Sequence, residues 1–194
     1  MTKKAHTAEQ QALRDAAIAE SLTRAGLGQV FQKKGRSLKE LGKPGEAITR
    51  IMDEAGFRAN VLAGRGFNLQ CRSHKSFDAA YLLTRALCLT KLRVRVVGLI
   101  DLARYLDDPE KDWTRTRFED FDALQALVIP RFYEPKYMPL PPLKVQAMEW
   151  WLAQRMDDGL SVSVQYQGDL TKQDIWQPYL VGKLEERNEK VELA

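Results

Sequence analysis

The stretch FNLQCRSHKSFDAAYLLTRAL, residues Phe67–Leu87, decides the fold. Its first residues are typical of a short strand, and the apolar positions after Ser76 recur at the three- and four-residue spacing of an amphipathic helix. We predict a strand over about Phe67–Gln70 and a helix over Ser76–Leu89. Lys75 and Ser76 stand where the loop becomes the helix, which is the place that a phosphate-binding loop gives to its Lys and Ser/Thr.

Length and composition limit the class of protein. The chain has 194 residues, of which 44% are apolar and 29% charged, so we expect one globular domain with at most a short extension. No apolar run is long enough for a membrane span, and the start MTKKAHTAEQQALRD has no apolar stretch behind its basic residues. We therefore expect a cytoplasmic protein with no membrane contact.

Few residues are available for metal or redox chemistry. The chain has two cysteines, Cys71 and Cys88, and two histidines, His6 and His74, without the spacing of a metal site. We expect reduced thiols and no bound metal. The net charge of +4 and the pI of about 9.0 are compatible with a nucleic-acid partner but do not demonstrate one.

Strands and helices alternate after residue 66, which predicts an α/β fold with a parallel sheet covered on both faces. Further strands are predicted at Leu92–Leu99, 123–130, Ser161–Tyr166 and Lys190–Leu193, and further helices at Leu99–Leu106, Arg115–Asp122, Leu143–Asp158 and Thr171–Arg187. The strand ALQALVIP, 123–130, is the most apolar and is predicted to be central. Arg93 and Arg95 alternate with apolar residues, so their strand is predicted at an edge.

The chain before the sheet has a helical and basic pattern rather than alternating strands and helices. We predict a helix over 7–26, a basic segment, and a second helix from Ala47 to about Ala55. The first helix has a narrow apolar stripe. We therefore divide the chain into a helical, basic N-terminal extension, 1–45, and an α/β domain, 46–194. The extension is expected to carry a partner contact, and the domain is expected to fold without it.

The order of motifs carries a resemblance to a known family. A basic GRSL element precedes the strand, Lys75-Ser76 and the helix; LIDLARYL, LVIPRFYE and EWWLAQRMDDGLSVSVQY follow. This series resembles the AAA+ ATPase domain of bacterial helicase loaders and transposition ATPases of the DnaC/IstB type, over about Gly35–Leu193. The resemblance implies a P-loop NTPase (AAA+-like) fold, a three-layer sandwich with a central parallel sheet and a short helical N-terminal extension.

The resemblance also assigns roles to residues. The loop of Arg72, Ser73, His74, Lys75 and Ser76 matches the end of a Walker A motif. Pro130 and Arg131 match the end of the Walker B strand, and the sensor 1 position falls near Gln167. Arg155 lies where family members often carry an arginine that reaches a neighbouring subunit.

Two departures indicate that the chemistry has been lost. No glycine lies between Cys71 and His74, although glycines let such a loop curl around phosphate. Pro130 and Arg131 replace the acidic residues that hold magnesium. We expect no ATP hydrolysis and no cofactor. Lys75 and Ser76 allow two interpretations. They could form an anion site at a helix N-terminus, or they could be an ordinary helix start capped by Ser76.

Other clusters of residues allow more than one interpretation. The basic residues Lys33, Lys34, Arg36, Lys39 and Lys43 are candidates for contact with DNA phosphates, but docking or simple solvation explains them equally well. Trp150 and Trp151 are adjacent on one helix and must point in different directions, so one is a candidate core residue and the other a candidate interface anchor. The acidic clusters near Asp107 and Glu119 are interpreted as solvated faces.

The function expected from these observations is that of a catalytically inactive AAA+-like adaptor in DNA replication or transposition. Its expected partner is a hexameric helicase or an active AAA+ protein. One alternative is a divergent but active helicase loader that takes its acidic residue from Glu134 or Asp122. A second alternative is a basic DNA-binding module built on the same fold.

Overall fold

A parallel sheet organises the chain. The structure is a computed structural model, and it describes residues 8–28, 43–72, 78–107, 124–134 and 140–193. Within these residues five strands pair in parallel in the order β2-β3-β4-β1-β5. The strands are β1 (Phe67–Cys71), β2 (Val94–Val96), β3 (Ala126–Tyr133), β4 (Ser161–Gln167) and β5 (Glu189–Leu193).

Seven α-helices are described within the same residues. They are α1 (Ala8–Arg24), α2 (Lys43–Asp53), α3 (Phe57–Leu62), α4 (Asp78–Leu89), α5 (Leu99–Asp107), α6 (Pro142–Asp157) and α7 (Pro178–Arg187). A 3-10 turn at Leu170–Lys172 replaces the first part of the helix predicted from Thr171. The helix predicted at Arg115–Asp122 lies outside the described residues.

The α/β architecture predicted from the sequence is confirmed. The strand with Arg93 and Arg95 is at an edge of the sheet, as predicted, although its regular part is only Val94–Val96. The apolar strand β3 is interior, but the middle of the sheet belongs to β4. β3 also continues past Pro130 to Tyr133.

Two apolar cores lie on opposite faces of the sheet and make the three layers. One core contains the inward residues of α1 to α4 together with Leu69, Val94 and Val128 from the strands. The other contains the inward residues of α5 to α7 together with Leu127, Ile129 and Val164. Because successive strand residues point to opposite faces, Leu127 and Val128 serve different cores.

Buried amide groups fix the start of β1 against β5. Asn188 donates from Nδ2 to Asn68 Oδ1 and to Val162 O, each at 2.8 Å, and accepts from the N–H of Gly66 at 3.1 Å. Asn68 donates in turn to Leu184 O at 2.8 Å. A side chain at Gly66 is excluded, because its Cβ would lie 2.1 Å from Val162 O. Only glycine lets the chain enter the sheet at this point.

The N-terminal helix is part of the folded domain. Leu22, Ala25 and Leu27 are at most 3% exposed and belong to the core beside α4. The N–H of Val96 donates to Ala25 O at 2.9 Å, which ties the end of α1 to the edge strand. Within α1 itself, Leu22 is the one buried residue among those whose burial is described, and Ala25 and Leu27 directly follow the helix. The boundary predicted at residue 45 falls inside α2, so the structure offers no folding boundary there.

No helix among the described residues is both long and apolar enough to span a bilayer.

Removing the buried leucine of α1 tests its place in the core. We expect Leu22→Ala to lower the free energy of unfolding by about 2–4 kcal/mol, because it removes a side chain that is 2% exposed and leaves a cavity. Leu13→Ala on the same helix is the control. Leu13 is 67% exposed, so the change should stay within about 0.5 kcal/mol. Urea unfolding measures both, and equal effects would place α1 outside the core.

Candidate functional site

The carboxyl edge of the sheet between β1 and β4 is the expected place for a ligand. β1 and β4 are neighbours, with Cys71 opposite Gln167, but the chain leaves them in opposite directions. From β1 it crosses to β2 at one edge, and from β4 it crosses to β5 at the other. Ligands of open α/β sheets bind at such a switch point, outside the carboxyl ends of the strands.

Most of the predicted loop lies outside the described residues, namely Ser73, His74, Lys75 and Ser76. Arg72 is described, and it is turned toward the sheet edge. Its N–H donates to Leu193 O at 3.3 Å, and its guanidinium lies 3.6 Å from Glu192 of β5. Both side chains are mostly exposed, so this ion pair contributes little to stability. The described part of the loop therefore contacts β5.

Gln165 is the central polar group at this edge. It is fully buried on β4, and its Oε1 accepts from the backbone N–H of Ala80, in the first turn of α4, at 3.0 Å. Its Nε2 lies 2.9 Å from Cys71 Sγ at the end of β1. Burial raises the pKa of the Cys71 thiol, so this thiol stays neutral. One amide thus connects β4, β1 and the start of α4.

The contact between Gln165 and Ala80 occupies a backbone N–H that an anion bound at the start of α4 could otherwise accept from. The first N–H groups of a helix have no partner within the helix and are the groups that bind phosphate. In α4 the N–H of Ala80 donates to Gln165. Asp78 also adds a carboxylate to the first turn, where it already provides the negative charge that the helix dipole favours. Both features reduce what this helix end offers to phosphate.

Sequence reasoning missed Gln165, although SVSVQY contained the signal. Ser161, Ser163 and Gln165 alternate with apolar residues, and all three are fully buried. A strand in the middle of a parallel sheet ordinarily reads as continuously apolar. The polar face of β4 therefore indicated that something other than apolar packing takes place beneath α4.

The end of β3 carries an irregularity at the predicted Walker B residues. Ile129 pairs with Val164 and Tyr133 with Tyr166, so three residues of β3 stand opposite one residue of β4. Pro130 is buried within this bulge, and Arg131 is exposed with φ +52°, in the left-handed region that non-glycine residues rarely adopt. A bulge of this kind redirects side chains locally.

The bulge places the adjacent residues Arg131 and Phe132 in different environments, Arg131 on the surface and Phe132 in the core. Phe132 is fully buried and stacks on Trp176 with ring centroids 4.2 Å apart, while Trp176 Nε1 donates to Phe132 O at 3.0 Å. Arg131 is left on the surface near Tyr81 of α4. Burial raises the pKa of the Tyr81 hydroxyl, and the charge of Arg131 opposes that rise. The end of β3 thus presents a cation to the edge of the sheet.

The other predicted site residues fall in different places. Gln167, near the expected sensor 1 position, is half-buried at the end of β4. Glu134 is half-buried immediately after β3, and Asp122 lies outside the described residues. Of the DNA-contact candidates, Lys33, Lys34, Arg36 and Lys39 also lie outside, and only the backbone of Lys43 is described, as the first residue of α2.

Arg155 does not lie on an exposed helix face. It is 4% exposed, and its Nη2 donates to Leu124 O at 2.6 Å. Its guanidinium also lies 5.9 Å from the centre of the Trp151 ring, one turn earlier on α6. In this structure the Arg155 side chain packs within its own chain, and the inter-subunit role that the resemblance implied stays a prediction.

Among the described residues, no three His, Cys, Asp or Glu side chains come together in a way that would hold a metal ion.

Comparison with known proteins bears on the fold of the chain. No protein-family model matches the chain, and no curated protein matches it in sequence. Its structure is similar to the DnaC helicase loader, with a TM-score of 0.55 and 15% identity over 83% of this chain and 92% of that chain. It is also similar to AMPPCP-bound DnaA from Aquifex aeolicus, with a TM-score of 0.50 and 13% identity over 84% of this chain and 49% of DnaA. It is similar as well to a DNA replication initiation factor, with a TM-score of 0.51 and 12% identity over 84% of this chain and 48% of that chain.

These similarities define the class of fold. The chain has the α/β fold of P-loop AAA+ domains, as the motif order implied. The likeness to DnaC extends over nearly all of that chain, whereas the match spans about half of DnaA. The chain therefore shares its fold with the DnaC helicase loader.

Replacing the central amide tests its structural role. We expect Gln165→Met, which keeps the volume but removes the acceptor, to cost about 1–3 kcal/mol, because the buried N–H of Ala80 loses its partner. Gln167→Met, two residues later on the same strand and half-buried, is the control and should change stability far less. Urea unfolding compares the two. A Gln165→Met protein as stable as the wild type would show that the contact contributes nothing.

Proposed function

We propose that the chain is a catalytically inactive AAA+-like adaptor that acts in DNA replication through contact with a replicative helicase or with an active AAA+ partner. The contact between Gln165 and the N–H of Ala80 is the observation that carries the loss of chemistry. The similarity to a helicase loader supports the replication context. A role in transposition remains the alternative that the motif order allows.

The described residues do not fit magnesium and ATP. A triphosphate needs free N–H donors at the start of α4, and the N–H of Ala80 is already bonded to Gln165. Mg²⁺ needs carboxylate oxygens at the end of β3, and Pro130 and Arg131 occupy that place. The charge of Arg131 would repel the ion. These two features are independent, and both oppose hydrolysis.

Hydrolysis can be tested directly. We expect purified protein to release phosphate from ATP no faster than a buffer blank, with Mg²⁺ and with or without DNA. The reason is that, among the described residues, the N–H of Ala80 is already bonded to Gln165, and Pro130 and Arg131 stand where metal ligands are expected. The control is Lys75→Ala, which should give the same background rate. Turnover that Lys75→Ala abolishes would contradict the proposal and favour a divergent but active helicase loader.

The adaptor role needs an exposed surface, and α6 provides one. Leu143 and Trp150 are 80% and 70% exposed, and exposed Ala147 lies between them, so the three form one apolar stripe at the spacing i, i+4, i+7. We call these three residues the α6 stripe. Exposed large apolar side chains on one face are typical of protein interfaces, and tryptophan is enriched at their energetic centres.

The opposite side of α6 is fixed in the core. Met148, Leu152 and Met156 are fully buried, and Glu149 accepts a hydrogen bond from the N–H of Gln177 at the start of α7. Trp151 is half-buried and packs edge-on against Tyr105, with ring centroids 6.3 Å apart. The adjacent tryptophans thus point in different directions, as predicted. A rigid helix that exposes Trp150 loses little conformational entropy when a partner binds.

The partner contact has a sharp test. We expect Trp150→Ala to weaken binding to the replicative helicase at least tenfold, about 1.4 kcal/mol or more, because the truncated side chain is a candidate interface anchor. The thermal midpoint should not change, since Trp150 is 70% exposed. Tyr179→Ala on α7 is the matched control, because Tyr179 is an aromatic residue that is 63% exposed and lies outside the α6 stripe. Calorimetric titration measures the affinities, and equal affinities for wild type and Trp150→Ala would remove this surface from the proposal.

A further inference from the structure

A second surface lies on the opposite side of the molecule from the α6 stripe. An open groove with a volume of about 1540 Å³ runs between α1, the end of α4 and the edge strand β2. α1 contributes one helical face to it, from Arg14 through Ser21 to Arg24. This face extends over eleven residues, or roughly 15 Å, which is about three helical turns.

The floor of the groove is apolar. Ala17 and Ile18 of α1, Leu89 of α4 and Val94 of β2 all line it; Ala17 and Leu89 are exposed, Ile18 is half-buried and Val94 is buried. Leu89 is 48% exposed, which is unusual for a leucine at the end of a helix that is otherwise buried. An exposed apolar floor of this kind is a surface that a partner can cover.

The rim of the groove is basic. Among the residues that the structure describes, five basic side chains line it against two acidic ones, Glu20 and Asp101; the basic residues are Arg14, Arg24, Lys91, Arg93 and Arg95. Arg24 pairs with Glu20 at 2.6 Å, and Arg95 Nε donates to Arg24 O at 3.0 Å, so part of this rim is already organised. Arg14, Lys91 and Arg93 are exposed. The groove therefore has an excess of positive charge.

The turn that carries Lys91 into the rim is strained. Lys91 has φ +63° directly after α4, in the left-handed position where helices usually end with glycine. Its N–H donates to Cys88 O at 2.9 Å, and the N–H of Leu92 donates to Leu87 O at 3.3 Å, so the turn is held by the helix end. A lysine at such a position costs stability that glycine would not, which is typical of residues kept for binding.

We propose that this groove binds an acidic amphipathic helix of a partner protein. The apolar floor fits the apolar face of such a helix, and the basic rim complements acidic residues on its flanks. A single-stranded nucleic acid fits less well, because its bases need aromatic platforms, and Tyr81 is the only aromatic residue among the described residues that line the groove. The proposal goes beyond the adaptor role, and it concerns a different surface from the α6 stripe.

Selection from a peptide library tests the groove. A displayed library of random peptides of about 18 residues, long enough for the helical contact, is selected on the full chain. The probe is then the tightest selected peptide, labelled with fluorescein and titrated by anisotropy. We expect it to carry apolar residues at i, i+3 or i+4 and i+7 with an excess of Asp and Glu. Leu89→Asp and Arg93→Glu should each weaken its binding at least tenfold.

Matched variants separate the groove from other surfaces. Leu62→Asp replaces a leucine of α3 that is 41% exposed, and Lys190→Glu reverses a charge on the opposite sheet edge; both should leave the affinity unchanged. Trp150→Ala should also leave it unchanged, so failure here and failure of the adaptor role are distinguishable. The proposal is overturned if no peptide is recovered, if selected peptides are neutral or basic, or if Leu89→Asp has no effect. It is equally overturned if a single-stranded oligonucleotide binds and only Arg93→Glu, not Leu89→Asp, weakens that binding.

Discussion

The buried amide of Gln165 is the interaction on which the centre of this molecule depends. It lies on the middle strand of the sheet, accepts the N–H of Ala80 and contacts Cys71 Sγ at the end of β1. A buried N–H without a partner costs about 1–3 kcal/mol, so this contact has a large effect on a domain of marginal stability. At the carboxyl edge of the sheet, the amide of Gln165 therefore joins β4 to β1 and to the start of α4.

The same contact bears on the stability of the protein without a ligand. An active site must keep polar groups free for its ligand, and such groups reduce the stability of the unliganded protein. Here the N–H of Ala80 is satisfied internally, and the bulge of β3 places Phe132 in the core while Arg131 stays on the surface. The described residues also expose two surfaces, the α6 stripe and the groove beside α1, which are the surfaces that the proposed adaptor role would use.

Sequence reasoning predicted the sheet because its signals are local and periodic. Phe67–Cys71 and Ser161–Gln167 lie within a residue of their predicted bounds, and the two arginines of β2 correctly placed that strand at an edge. Sequence reasoning failed where a side chain contacts residues that are distant in the sequence. Nothing in the sequence near Arg155 indicated that its guanidinium would donate to Leu124 O, 31 residues away. α1 was expected to be separable, but the surface that buries Leu22 lies on α4. The candidate loop itself, 73–76, lies outside the described residues and stays a prediction.

The most direct test of the central claim is the thermal unfolding midpoint of the full chain, measured with and without magnesium and ATP at millimolar concentration. A ligand present at one hundred times its dissociation constant stabilises the folded state by about 2.7 kcal/mol, which raises the midpoint by several degrees in a protein of this size. The account predicts no shift, because Gln165 holds the donor and Arg131 stands at the place of the metal ligands. A rise of several degrees that needs both magnesium and ATP would contradict it.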